Sequence, residues 1–112
     1  MVKADYIPER GDLIWLNFTP QSGHEQAGKR PAIVLSPQKY NRKTGLLITC
    51  PITSKIKGYP FEVAVEGQKI SGVILSDQIK NFDWKTRNAV FIEKASIEIV
   101  KNVQEKLLLL IQ

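Results

Sequence analysis

The chain of 112 residues is poor in the residues that carry most redox, metal and nucleophile chemistry: it has one cysteine, one histidine and one methionine. A lone Cys50 allows no intrachain disulfide and no multi-cysteine cluster, and one histidine beside it argues against structural zinc. Long hydrophobic runs are also missing. The longest is residues 107–111, far below the ~18 residues that cross a bilayer. Behind Lys3 there is no apolar stretch of the kind that marks a signal peptide. These absences point to a reducing cytoplasm, no membrane partner, no metal and no cofactor. The length argues for one domain, residues 1–112, and such a chain cannot build two lobes around a cofactor cleft.

Acidic residues are absent from one stretch. Between Glu25 and Glu62 the chain has seven bases and no acid. The formal charge of +5 comes from residues 1–60, because the remainder carries seven charges of each sign. Such an asymmetry points to an anionic partner, nucleic acid above all. The plain alternative is a solvated basic surface.

The hydrophobic pattern reads as short strands followed by one helix. Arg10-Gly11-Asp12 is a turn before an apolar strand at 13–18. A polar loop fills 19–31, and long loops tend to carry function. Strands follow at 32–36 and 46–49, with a turn at 41–45 between them and Pro51 breaking or edging the second. Residues 55–60 form a basic loop. The alternation at 61–65 predicts a half-buried strand, and further strands are expected at 72–75 and 90–92. Ser96 caps a helix running to about Ile111, whose apolar face is Ile97, Val100, Val103, Leu107, Leu108 and Ile111. Ile99, Leu109 and Leu110 fall off that face, so the helix is either buried on two sides or part of a subunit contact. The expected fold is mainly β with a C-terminal helix (α+β), a small, strongly bent sheet or barrel.

Three clusters carry candidate chemistry. Residues 23–31 place His24, Glu25, Gln26, Lys29 and Arg30 between Gly23 and Pro31. Glycine lets backbone approach a ligand, a guanidinium fork suits phosphate, and Glu25 and His24 are able to move protons. The plain alternative is a polar loop with one ion pair. The second cluster sets Thr53 and Ser54 beside Lys55, Lys57, Tyr59 and Phe61, the mixture of cations and aromatics that holds single strands; Phe61 reads equally well as core. The third is Ser76-Asp77-Gln78 at a strand end, or else a plain turn. Ser54-Lys55-Ile56-Lys57 and Lys43-Thr44-Gly45 match penicillin-binding signatures, but in the wrong order and in too short a chain.

Five segments taken in order carry a resemblance: Gly11-Asp12-Leu13-Ile14-Trp15, residues 23–32, Tyr40-Asn41-Arg42-Lys43-Thr44-Gly45, Lys57-Gly58-Tyr59-Pro60-Phe61-Glu62-Val63 and Asp77-Gln78. Together they resemble the MazF/PemK toxin family, over nearly the whole chain. The resemblance implies a small SH3-like barrel with a C-terminal helix, shared with the CcdB type of toxin. It implies a metal-independent, sequence-specific endoribonuclease that cuts single-stranded mRNA, acts as a homodimer and is neutralised by a cognate MazE-like antitoxin. Operator DNA would be met only through the antitoxin complex. The family's arginine before proline falls on Arg30, its catalytic threonine on Thr53 and its functional glutamate on Glu25. His24 or a water is left as the acid for the leaving group. RNA contacts are expected from Gln26, Lys29, Asn41, Lys43, Ser54, Lys57, Tyr59, Phe61, Asp77 and Gln78. Some members pair that aspartate with an arginine two residues earlier; here the position is Leu75, so Asp77 lacks that partner. Two rival readings fit the same fold: a non-enzymatic toxin acting on a topoisomerase, and a plain nucleic-acid-binding module.

Overall fold

In the computed structural model, residues 6–18 and 28–112 are described. In chain order they form β1 (Asp12–Phe18), β2 (Gly28–Val34), α1 (Gln38–Thr44), β3 (Leu46–Thr53), β4 (Glu62–Glu66), β5 (Ser71–Leu75), β6 (Lys80–Asp83), β7 (Val90–Lys94) and α2 (Ile97–Ile111). The sheet runs β4-β5-β3-β2-β1-β7, and β6 also pairs with β3.

β1 and β2 are apolar at successive positions because both faces of their hairpin are covered. Leu13, Ile33, Cys50, Ile74 and Val103 belong to one core cluster. Ile14, Leu16, Ala32, Val34, Leu47 and Trp84 form the other. Neighbouring residues on a strand point to opposite faces, so a strand covered on both sides shows an unbroken apolar run.

β3 organises the rest. Thr49 pairs with Val34 of β2 on one edge and with Lys80 of β6 on the other. β6 leaves that edge after Thr49, and β5 takes it up at Ile52 and Thr53. Pro51 lies between the two, where its missing N–H is tolerated, so it sits inside the strand, paired with Ala32. The sheet curls into a half-barrel, which α2 covers through buried Val100 and Val103 and half-buried Ile99 and Leu107. This is the bent, mainly β fold with a terminal helix that the sequence predicts.

Several local expectations are corrected. Residues 41–45 are not an open turn. α1 occupies Gln38–Thr44, with Pro37 extended at its N-cap and Gly45 left-handed (φ 75°) at its C-cap. β2 begins at Gly28, four residues before the expected strand, and β6 was not anticipated at all. On α2, Ser96 caps the helix by accepting from the Ile99 N–H (3.2 Å). Its inward face differs, though: Ile99 packs on the core, while Ile97, Leu108 and Ile111 are exposed.

Candidate functional site

The geometry starts from where β2 and β3 part. β2 pairs with β1 along its full length, from Leu13↔Ile33 to Phe18↔Gly28. With β3 it pairs only from Val34 to Ala32. Beyond that point β3 stays paired only on its other edge, with β5, through Ile52↔Ile74 and Thr53↔Val73. Residues Gly28, Lys29 and Arg30 are left exposed on β2. Ala32↔Pro51 is the last β2–β3 pair, and Arg30 and Thr53 lie two residues beyond it, one on each strand. Side chains two apart on a strand share a face, so Arg30 and Thr53 stand on the face of Ala32 and Pro51, on either side of the parting.

Thr53 is tied to the basic loop that follows. Its Oγ1 accepts from the Lys55 N–H at 3.1 Å, which leaves its own proton free to donate elsewhere. Glu62, opposite Leu75 at the start of β4, accepts from the N–H groups of Lys57 and Gly58, both at 2.9 Å. The Tyr59 hydroxyl donates to Asp77 Oδ1 at 3.2 Å. Desolvation, and then the Asp77 carboxylate, push the Tyr59 phenol above its ordinary value. The Ser76 N–H donates to the Phe61 carbonyl at 3.0 Å, which joins the end of β5 to the start of β4.

The structure thus brings Thr53, Ser54, Lys57, Tyr59, Phe61, Asp77 and Gln78 into one neighbourhood, with Lys29 and Arg30 across the parting. Phe61 is half-buried; Ser54, Lys57, Asp77 and Gln78 are exposed. His24, Glu25 and Gln26 lie outside the described residues.

Two expected RNA contacts stand apart. Lys43, on α1, sits next to the Leu46 end of β3. Thr53 is at the other end, roughly 23 Å along the strand at ~3.3 Å per residue. Asn41 is fully buried. Its Nδ2 donates to the carbonyls of Pro8 (2.8 Å) and Ser36 (3.2 Å), its Oδ1 accepts from Ser36 Oγ (2.5 Å), and its backbone carbonyl accepts from the Trp84 indole (2.8 Å). Its side chain is a scaffold element and does not reach the surface.

Two residues near Thr53 escaped the sequence reading. Glu62 looked like one more outward position of an alternating strand. Gly72 reads only as the first residue of the strand expected at 72–75. In fact Gly72 has φ +150°, and a Cβ there would stand 2.4 Å from the Thr53 carbonyl oxygen. A glycine within an apolar strand is the only hint of this close approach.

Among the described residues, no three His, Cys, Asp or Glu side chains group to hold a metal ion, and no helix is long and apolar enough to cross a membrane. A separate concavity of about 570 Å³ lies between α1 and α2, lined mainly by apolar groups such as Leu35, Ile48, Ile79, Leu107 and Leu108. None of Arg30, Thr53 or Asp77 lines it.

A family model described as PemK-like, MazF-like toxin of type II toxin–antitoxin system matches residues 9–111. The endoribonuclease toxin MazF of Escherichia coli K12 is 47% identical over 106 residues, 95% of this chain and 96% of that protein. Endoribonuclease PemK of Escherichia coli is 30% identical over 112 residues, 96% of this chain and 84% of that one. In three dimensions the chain is similar to MazF of Deinococcus radiodurans, crystallised with MazE. The TM-score is 0.92 at 50% identity, over 96% of this chain and 97% of that one.

Proposed function

The chain belongs to the PemK-like, MazF-like toxins of type II toxin–antitoxin systems, and on that premise we propose that it is an endoribonuclease that cuts single-stranded mRNA without a metal. The RNA supplies the nucleophile. Its 2′-hydroxyl loses a proton and bonds to the adjacent phosphorus. The bond from phosphorus to the 5′ oxygen breaks, and that oxygen takes up a proton. The products are a 2′,3′-cyclic phosphate and a 5′-hydroxyl, and the cell loses translatable message.

What supports this reading is that Arg30 and Thr53 each lie two residues beyond the last β2–β3 pair, Ala32↔Pro51, one on either side of the parting. A guanidinium keeps its charge and offers a fork of donors. Arg30 therefore stabilises the charge that builds on the phosphorane oxygens. Thr53 adds a hydroxyl donor to the same oxygens, its own oxygen being fixed by the Lys55 N–H. Preorganised donors of this kind contribute roughly 2.7–4 kcal/mol each in other enzymes. Glu25 takes the 2′ proton, and His24 or a water returns one to the leaving oxygen.

The substrate follows from the same chemistry. DNA lacks the 2′-hydroxyl and binds without being cut. Duplex RNA hides its base edges, so a few bases are read only from a single strand. Lys29, Ser54, Lys57, Tyr59, Phe61, Asp77 and Gln78 form the reading surface, and Gln26 is a further expected RNA contact. Lys43 contacts an RNA only if it follows β3 to its far end.

The partner is an acidic MazE-like antitoxin segment, whose carboxylates mimic phosphates in the basic groove; operator DNA is met through that complex. A second copy of the chain covers the exposed apolar end of α2, where Leu109 and Ile111 are 71% and 64% exposed, an unusual patch for a monomer. The site of action is the cytoplasm.

Arg30→Ala tests the reading. Turnover on a single-stranded RNA should fall about 10²–10³-fold with an unchanged melting temperature, because an exposed guanidinium contributes little to the core. A folded Arg30→Ala protein that cuts at the wild-type rate overturns it.

A further inference from the structure

Residues 54–60 link β3 to β4 without joining the sheet, yet side chains pin them at three points. Thr53 holds the Lys55 amide, Asp77 holds the Tyr59 hydroxyl, and Glu62 holds the middle of the loop. Glu62 uses both carboxylate oxygens, one on the Lys57 N–H and one on the Gly58 N–H. Gly58 has φ +83°, a left-handed conformation that turns the two amides toward one acceptor, as in anion-binding nests. The Glu62 N–H in turn donates to the Tyr59 carbonyl at 3.2 Å. The carboxylate is thus enclosed by the loop that carries Lys55, Lys57 and Tyr59.

We infer that Glu62 is a positioning residue for substrate: it fixes the basic 54–60 loop in the conformation that holds single-stranded RNA. The inference rests on the proposal that this loop binds RNA. It gives an effect opposite in sign to simple electrostatics. Removing an acid from a basic surface raises the attraction for a polyanion. If Glu62 instead orders the loop in advance, its removal makes binding meet the ordering cost of the released side chains and backbone. Such a cost weakens binding about three- to tenfold.

The test uses the full chain and a fluorescein-labelled, mixed-sequence single-stranded RNA of 20 nucleotides, 2′-O-methylated throughout so that it is not cut. Anisotropy gives Kd for the wild type, Glu62→Ala, Glu62→Gln and Lys57→Ala. Glu62→Ala should bind about three- to tenfold more weakly despite its extra positive charge. Hydrogen exchange at the Lys57 and Gly58 amides should speed up, with the melting temperature unchanged. Glu62→Gln keeps an acceptor and should recover part of the affinity, a rescue that charge alone does not give. Unchanged or tighter binding by Glu62→Ala, with Lys57→Ala weakened, overturns the inference and leaves the RNA reading standing. Unchanged binding by Lys57→Ala removes the loop from the RNA surface and overturns both.

Discussion

Gly72→Ala converts one close contact into a measurable loss of turnover. A Cβ at position 72 would meet the Thr53 carbonyl oxygen at 2.4 Å and its carbon at 3.1 Å. Real Cβ contacts essentially never fall below 3.0 Å, so the Thr53 peptide must move by about 0.6 Å or more. No flexible side-chain end is available to absorb the shift, because the atoms met are backbone. The φ of +150° adds strain of about 1–3 kcal/mol for any residue with a Cβ. Misplacing a reacting group by ~1 Å costs up to about 10²-fold in rate, so kcat should fall roughly ten- to hundredfold with little change in KM. Gly45→Ala is the matched control. It too has positive φ (75°), but nothing lies within 4 Å of the added carbon, so it loses stability and keeps its turnover per folded molecule. The assay is steady-state cleavage of a single-stranded RNA, alongside thermal melts of both variants. A folded Gly72→Ala protein with wild-type kcat would refute the reasoning, since Thr53 would then tolerate the shift.

Three further outcomes follow from buried groups. Asn41→Ala removes three side-chain hydrogen bonds from a closed site and should cost about 2–4 kcal/mol in urea unfolding, with RNA affinity of the folded protein unchanged; an unaltered unfolding midpoint would contradict the scaffold role. Burial, and secondarily Asp77, push the Cys50 thiol up from 9.0 to about 12. The unfolded chain therefore releases this proton first, so the contribution is intact below pH ~9 and declines as pH rises toward 12. Unfolding curves at pH 8 and 11 check the sign, and rapid labelling of the native thiol at pH 8 would contradict its burial. Ser76 Oγ is buried without a hydrogen-bond partner among the described residues, so Ser76→Ala should leave stability unchanged or raise it by about 1 kcal/mol; a clear fall in melting temperature would reveal a partner.

The fold was legible where packing imposed a period. β1 and β2 announced themselves as unbroken apolar runs because both faces are covered, and β4 alternated because one face is exposed. α2 was legible as a helix from its cap and spacing. Its face was misassigned at the C-terminal end because five consecutive apolar residues, 107–111, surround the last turn, and the sequence does not say which of them meet the core and which meet a partner. α1 was hidden because its one buried residue is polar, Asn41, so no apolar stripe marks it. β6 was hidden because Lys80, Asn81 and Asp83 are exposed and read as loop.

In the candidate site, Arg30, Thr53 and the basic loop were legible as residue types, and a family resemblance assigned their roles. Their mutual geometry was not, since it depends on β2 ending its pairing with β3 at Ala32↔Pro51, two residues short of Arg30 and Thr53. Gly72 and Glu62 act through backbone contacts made 19 and 5 residues away in sequence, which no local pattern encodes.

The central claim is that this chain breaks RNA by its own 2′-hydroxyl at the Arg30–Thr53 site. The most direct measurement incubates the purified protein with a long single-stranded RNA in EDTA, beside Arg30→Ala, and maps every new 5′ end with its chemistry. Discrete cuts with 5′-hydroxyl and 2′,3′-cyclic phosphate ends are expected, formed about 10²–10³-fold more slowly by the variant. Intact RNA after incubation with the folded protein, or 5′-phosphate ends, would contradict it.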